Sequence, residues 1–330
     1  MAGYRDKFII NFHSLTTAMS LSWWLERSQI KLFCPVYHLV SDKIPDHIKH
    51  LYPVRSTTQF ENDLDLMLKF FEPINIVQLK NILKNGNNSG KRYMFLSFDD
   101  GLSEMNHIVA PILKKKSVPA VFFINPAFVD NKNLFFRHKA SILIEYLSKN
   151  KILDFSTKNQ LKSLNYLQQN LADDIANQYQ INFEDYLQQN TPYLTKTEIE
   201  QLIHQGFDIG AHSWDHPQYE LLPQSVQIEQ TIRSIDYVTS AFQVEVQSFA
   251  FPFTDYGVQN NFFRILAQYY PESLTFGCAG LKNEIFPNHI QRVPMEVKDL
   301  NAHQVLSAEL CYYNIKKFFG KDKIVRADGI

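Results

Sequence analysis

Glycine is scarce in this chain, 11 of 330 residues, and the glycine-rich signatures that cradle phosphates are missing with it. There is no Gly-x-Gly-x-x-Gly, no Walker A sequence and no Gly-x-Ser-x-Gly elbow, which disfavours dehydrogenases, kinases and serine hydrolases. Cysteine is nearly absent too. Cys34, Cys278 and Cys311 are odd in number, widely separated and never in a Cys-x-x-Cys pair, so a disulfide framework or a thiolate zinc site is not expected. Neither sign of charge dominates: 33 basic against 34 acidic residues leaves −1. That removes the electrostatic case for a nucleic-acid partner. No uncharged apolar run approaches a membrane-spanning length, and Phe8-Ile9-Ile10 is too short for the core of a signal peptide. The expectation is a soluble, cytoplasmic protein with reduced thiols.

What is present fits a folded enzyme. Apolar residues make up 45%, aromatics 14% and charged residues 20%, enough to bury a large core. Residues 1–30 read as a polar start followed by a helical stretch, Leu15 to Arg27. Its adjacent Trp23 and Trp24 suit packing onto the body better than a membrane-surface helix. From Lys31 onward short apolar strands alternate with helices. Strands are expected at Lys31 to Tyr37, Ile74 to Val77, Arg92 to Phe98, Ala120 to Ile124, Phe207 to Ala211, Val246 to Phe251 and Ser273 to Gly277. Helices are expected at Thr57 to Phe71, with Thr57 or Thr58 as cap, and at Asn106 to Lys116. This alternation predicts a mainly parallel α/β fold. Residues 131–195 break the rhythm: leucine and isoleucine at helical spacing, at His138 to Leu147 and Asn159 to Asp173 for example, predict a helical insertion placed to cap one face. We treat residues 1–330 as one domain with these two additions.

Three segments could carry chemistry. Ser97-Phe98-Asp99-Asp100-Gly101 ends a strand with adjacent carboxylates, whose mutual repulsion a cation would relieve, leaving one carboxylate to ligate and the other to act as base. Gly210-Ala211-His212-Ser213-Trp214-Asp215-His216 follows another strand and offers two imidazoles at i and i+4, able to meet on one metal. Chance supplies about a third of one such histidine pair in this composition, so the weight comes from position: both segments sit where α/β folds build their sites. Asp, His and His would leave a cation open to water and substrate, suited to hydrolysis. The third segment, Phe249-Ala250-Phe251-Pro252-Phe253, is core and a rigid turn, or one wall of a sugar groove.

The first two segments resemble the motifs Thr/Ser-Phe-Asp-Asp-Gly and His-Ser/Thr-x-x-His of the polysaccharide deacetylases, carbohydrate esterase family 4, the nodulation-protein-B homology domain. Phe251-Pro252-Phe253 resembles the core of that family's third motif. The resemblance, from about Leu32 to Val297, implies a distorted (β/α) barrel of about seven strands. It implies one divalent metal ion on Asp100, His212 and His216, zinc first and cobalt, nickel, iron or manganese as alternatives, with Asp99 as base. It also implies a carbohydrate substrate losing an N-acetyl or O-acetyl group. Phe251, Pro252, Phe253 and Trp214 become substrate-binding candidates. Two departures stand out. The arginine that opens the third motif is replaced by the neighbourhood Gln247-Ser248, which leaves Arg292 as the cation for Asp99. The late Leu-x-x-His-Asp motif is missing, but Pro35-Val36-Tyr37-His38-Leu39-Val40 resembles the start of permuted members, which makes His38 the acid. Alternatives from this reading are an inactive carbohydrate-binding barrel and a hydrolase of another C–N bond, such as a sugar formamide.

Overall fold

Eight short apolar segments build the centre of the molecule: Pro35–Tyr37 (β1), Leu96–Phe98 (β2), Ala120–Ile124 (β3), Asp208–Ala211 (β4), Ser248–Ala250 (β5), Leu274–Gly277 (β6), His289–Gln291 (β7) and Val293–Pro294 (β8). In the computed structural model, which describes residues 4–87 and 89–328, they form one all-parallel sheet in the order β7-β6-β5-β4-β3-β2-β1-β8. β7 and β8 are one run of chain interrupted at Arg292, so pairing β7 to β6 and β8 to β1 closes the sheet. Counted as staves, the barrel has seven.

Both faces of each strand are buried, and alternation sorts the side chains. Along β3, Val121 and Phe123 point into the barrel with Phe95 and Phe276, whereas Ala120, Phe122 and Ile124 meet the surrounding helices. Phe95 stacks on Phe276 at 5.2 Å across the lumen. Gly210 is required by closeness: a Cβ there would lie 2.4 Å from the Phe123 ring and 2.5 Å from Ser248 Oγ.

Several expected boundaries move. Residues 74–77 are not a strand: Asn75 caps the helix Ile76–Asn85 and exchanges a capping box with Gln78, a local polar signal that outweighs the short apolar run. The expected strand 92–98 splits at Phe95 into Tyr93–Met94, which joins Leu32–Phe33 and Glu72–Pro73 in a small parallel sheet, and β2. Ser56, not Thr57 or Thr58, caps the helix Thr57–Leu68, again through a capping box. The amino-terminal stretch is two helices, Tyr4–Thr16 and Leu21–Ser28, the second capped by Ser20, whose side chain accepts from the Trp23 amide. They bury Ile9, Leu21 and Leu25 beside the carboxy-terminal helix Ala302–Phe318.

β3 and β4 are neighbours, yet the chain leaves the barrel between them to form the helices Phe136–Lys149, Phe155–Ser163, Asn170–Gln178 and Phe183–Asn190. The expected single helix 159–173 is broken, with Leu164 buried in extended backbone between two helices. These helices hold a second apolar cluster, which takes in Leu39 and Ile48 from the segment after β1.

Candidate active site

The carboxyl ends of six of the eight strands carry side chains of one mouth of the barrel. His38 follows β1, Asp99 and Asp100 follow β2, Asn125 follows β3, His212 follows β4, Arg292 follows β7 and Glu296 follows β8. The register pairs Val36 with Ser97 and Tyr37 with Phe98, so His38 and Asp99 leave adjacent strands side by side.

Asp100, His212 and His216 bring one ligand atom each within 4.8 Å of one another, all three side chains buried. His216 Nε2 stands 3.1 Å and His212 Nε2 3.5 Å from Asp100 Oδ1. The chemistry of these donors fits a cation. His212 Nδ1 donates to the Ala250 carbonyl at 2.8 Å, which leaves a lone pair on Nε2 in the neutral ring. Burial lowers the His216 pKa, against the opposing pull of Asp100. Asp100 Oδ1 is buried without a hydrogen-bond partner. Burial would raise the pKa of Asp100, but His216 and then His212 and His38 hold it well below the carboxylate range. Lone pairs of two imidazoles and a carboxylate thus converge on one point.

The backbone is bent to achieve this. Asp100 (φ 76°), Ser213 (φ 64°) and His216 (φ 64°) all lie in the left-handed region, at about 1–3 kcal/mol each for such residues. Asn125 holds the second loop by donating to the carbonyls of His212 and Ser213, and Ser213 Oγ accepts from the His216 amide.

Beside the ligand set, Arg292 makes a bidentate pair with Asp99, Nη1 to Oδ1 at 2.6 Å and Nη2 to Oδ2 at 2.8 Å. Its Nη1 also reaches Ser97 Oγ and its Nε the Gly277 carbonyl. Burial pushes the Asp99 pKa up, yet Arg292, followed by His212, overrides it and keeps the carboxylate ionised. On the neighbouring strand end, His38 Nδ1 contacts Glu296 Oε2 at 2.6 Å, and the amides of His38 and Leu39 donate to Oε1. Burial would lower the His38 pKa; Glu296, with Asp100 and Asp99, outweighs it and raises the imidazole to about 9.

The aromatic candidates divide. Phe253 is 38% exposed and its ring lies 4.7 Å from His216. Phe251 is corrected to a core residue: it is 1% exposed and packs on Tyr219, Phe262 and Phe263, because the left-handed turn that presents Phe253 follows it. Pro252 is buried beside it. Trp214 is half-buried, with the Arg233 guanidinium 3.6 Å from its ring centre and Tyr237 of the helix Gln224–Phe242 edge-on to it at 6.0 Å. Sequence reasoning missed Glu296, Asn125 and Phe135, whose ring lies 4.3 Å from His216.

The family profile described as "Polysaccharide deacetylase" matches residues 86–269, more than half of the chain. The chain belongs to the polysaccharide deacetylase family. Its reaction class is therefore hydrolysis of an acyl group from a carbohydrate. The deacetylase PplD of Streptococcus pyogenes, solved in complex with acetate, superimposes with a TM-score of 0.57 at 15% identity, over 85% of this chain and 98% of that one. IcaB from Ammonifex degensii gives 0.54 at 14% identity, over 85% and 97%. BC0361, a polysaccharide deacetylase from Bacillus cereus, gives 0.54 at 14%, over 84% and 69%. At these identities the likeness is one of fold. No curated relative matches by sequence. Asp99, Asp100, His212 and His216 lie inside the segment matched to the polysaccharide deacetylase family; His38, Arg292 and Glu296 lie outside it.

Proposed function

We propose that this polysaccharide deacetylase is a metal-dependent hydrolase that removes an N-acetyl group from an amino-sugar glycan or glycan precursor. The observation that carries the reading is the convergence of Asp100, His212 and His216 on one point next to a charged Asp99. These three residues would hold one divalent ion, zinc by the nitrogen and oxygen donors, and such an ion supplies Lewis acidity to the acyl oxygen. Asp99 accepts the proton of the attacking water, and Arg292 fixes the plane of its carboxylate and keeps it ionised. Attack gives a tetrahedral centre whose collapse must expel an amine, a poor leaving group until protonated. His38, held by Glu296 and protonated at neutral pH, donates that proton. In this assignment the acid-bearing strand opens the chain, a permuted order of the family's motifs, and the helices of residues 131–195 cap the mouth. Three free cysteines support a reducing, cytoplasmic compartment. The test is acetate release, by mass spectrometry, from a panel of N-acetylated and O-acetylated sugars with and without added zinc. Metal-stimulated release from N-acetyl substrates is expected, and no release from any of them would overturn the reading.

A further inference from the structure

Arg137 stands at the start of the helix Phe136–Lys149, on the side of the insertion that meets the barrel mouth. Its guanidinium carbon lies 5.3 Å from the Phe253 ring centre and 5.9 Å from that of Phe136. Phe253 in turn stands 4.7 Å from His216, so one phenyl ring separates this cation from the proposed metal ligands. Arg137 is half-buried. The more deeply buried arginines hold a carboxylate, Arg292 with Asp99, Arg55 with Asp63 and Arg326 with Asp255 and Glu284, and Arg5 has Glu309. The half-buried Arg92, far from the barrel mouth beside the strand Tyr93–Met94, also leaves its Nε without a partner. Among the described residues no carboxylate pairs with Arg137, and its Nε is buried with no hydrogen-bond partner. Burial lowers its pKa with no opposing anion. Lys139, on the same helix, is already committed to Asp173. A guanidinium without an anion costs stability, and here it stands against two neighbouring rings, Phe136 and Phe253, at the rim of the candidate site.

We propose that Arg137 receives a phosphate group carried by the sugar, so that the substrate is a phosphate-linked N-acyl amino sugar rather than an uncharged polymer. The inference rests on the carbohydrate deacetylase reading and specifies its substrate. A guanidinium fork matches phosphate oxygens with two parallel hydrogen bonds, and partial desolvation beside the rings strengthens them. The phosphate could belong to a sugar nucleotide or to a lipid carrier, since both place the same group on the anomeric oxygen.

The test uses zinc-loaded protein and two readouts. Calorimetry with the Asp99→Asn variant, which suppresses turnover, compares N-acetylglucosamine 1-phosphate with methyl N-acetylglucosaminide. The phosphate is expected to bind roughly 10- to 100-fold tighter, the range of one charge-assisted pair. Adding Arg137→Gln should erase that preference, and Arg137→Lys should retain part of it, with thermal melts verifying that both variants fold. Equal affinity for the two sugars, including none for either, overturns the proposal. So does a preference that survives Arg137→Gln, which would place the anion elsewhere. Acetate release by the wild type from uridine diphosphate-linked, lipid diphosphate-linked and methyl glycosides then distinguishes the two sources. A binding preference with no release from any sugar would sink the deacetylase reading and leave the anion site standing.

Discussion

Asp99, Asp100, His212 and His216 sit in two short runs of sequence, each fastened to the end of its own strand, whereas His38, Arg292 and Glu296 come from opposite ends of the chain. His38 reaches the first group through the β1–β2 pairing, and Arg292 and Glu296 join it where β7 and β8 close the barrel against β6 and β1. In the first group, positive φ angles at Asp100 and His216 make local backbone do the aiming. In the second, long-range closure aims the side chains: Val293 donates to the Cys34 carbonyl and Met295 to that of Val36, which brings Arg292 to Asp99 and Glu296 to His38. The first half of the site is therefore a property of two loops and the second a property of the closed barrel.

The sharpest way to break that contrast is at the base. Asp99→Asn should keep metal and fold yet lose about a thousand-fold in turnover, within the usual range for a general base. Near-normal turnover with bound metal would assign proton transfer to another group. Next in size is Arg292→Ala, which strands the Asp99 carboxylate in a buried setting, an expected loss of about 3–5 kcal/mol in denaturant melts. The same truncation at Arg137, which holds no carboxylate, should cost far less. Comparable losses would contradict the pairing argument.

His38 and Glu296 offer a pH signature. The folded pKa of His38 is raised, to about 9, so the protonated form and the stability it brings are present in full below its ordinary value near 6.5. Both are lost as pH rises through about 9. Activity should share that alkaline limb. Glu296→Gln removes the charge that raises it, and the limb should move toward neutrality, lowering kcat/KM at pH 8 by about ten-fold. An unmoved limb would mean that His38 is not the acid. The smallest effect on rate is expected at the aromatics: Phe253→Ala, on the exposed rim, should change kcat/KM by a few-fold. Phe251→Ala should act on stability instead, by about 3–5 kcal/mol as a buried phenyl.

The same contrast explains what could be read without coordinates. The ligand set was legible because Asp-Asp-Gly and His-x-x-x-His keep their members adjacent in sequence, directly after apolar strands. His38 was legible by its strand, and Arg292 only as a replacement for a missing arginine. Glu296 was not, since it follows a two-residue strand that carries no periodicity, and its role arises from β8 pairing with β1. Phe251 and Phe253 look alike in sequence. Their fates differ because the left-handed backbone at Phe253 (φ 56°) turns one ring outward after the other has entered the core. The Asn75 helix start was hidden by apolar neighbours, although its capping box with Gln78 is a local signal. The parallel α/β fold was visible as alternation and the barrel as an implication of the family resemblance, but its closure by β7 and β8 was not.

The central claim is that Asp100, His212 and His216 form one divalent metal centre on which deacetylation depends. Chelator-stripped wild-type protein titrated with zinc, with acetate release from an N-acetylated amino sugar followed at each addition, tests it most directly. Activity absent at the start and complete at one equivalent is the predicted result, with no recovery in a His212→Ala, His216→Ala double variant. Full activity in the stripped protein, or recovery in the double variant, would contradict it.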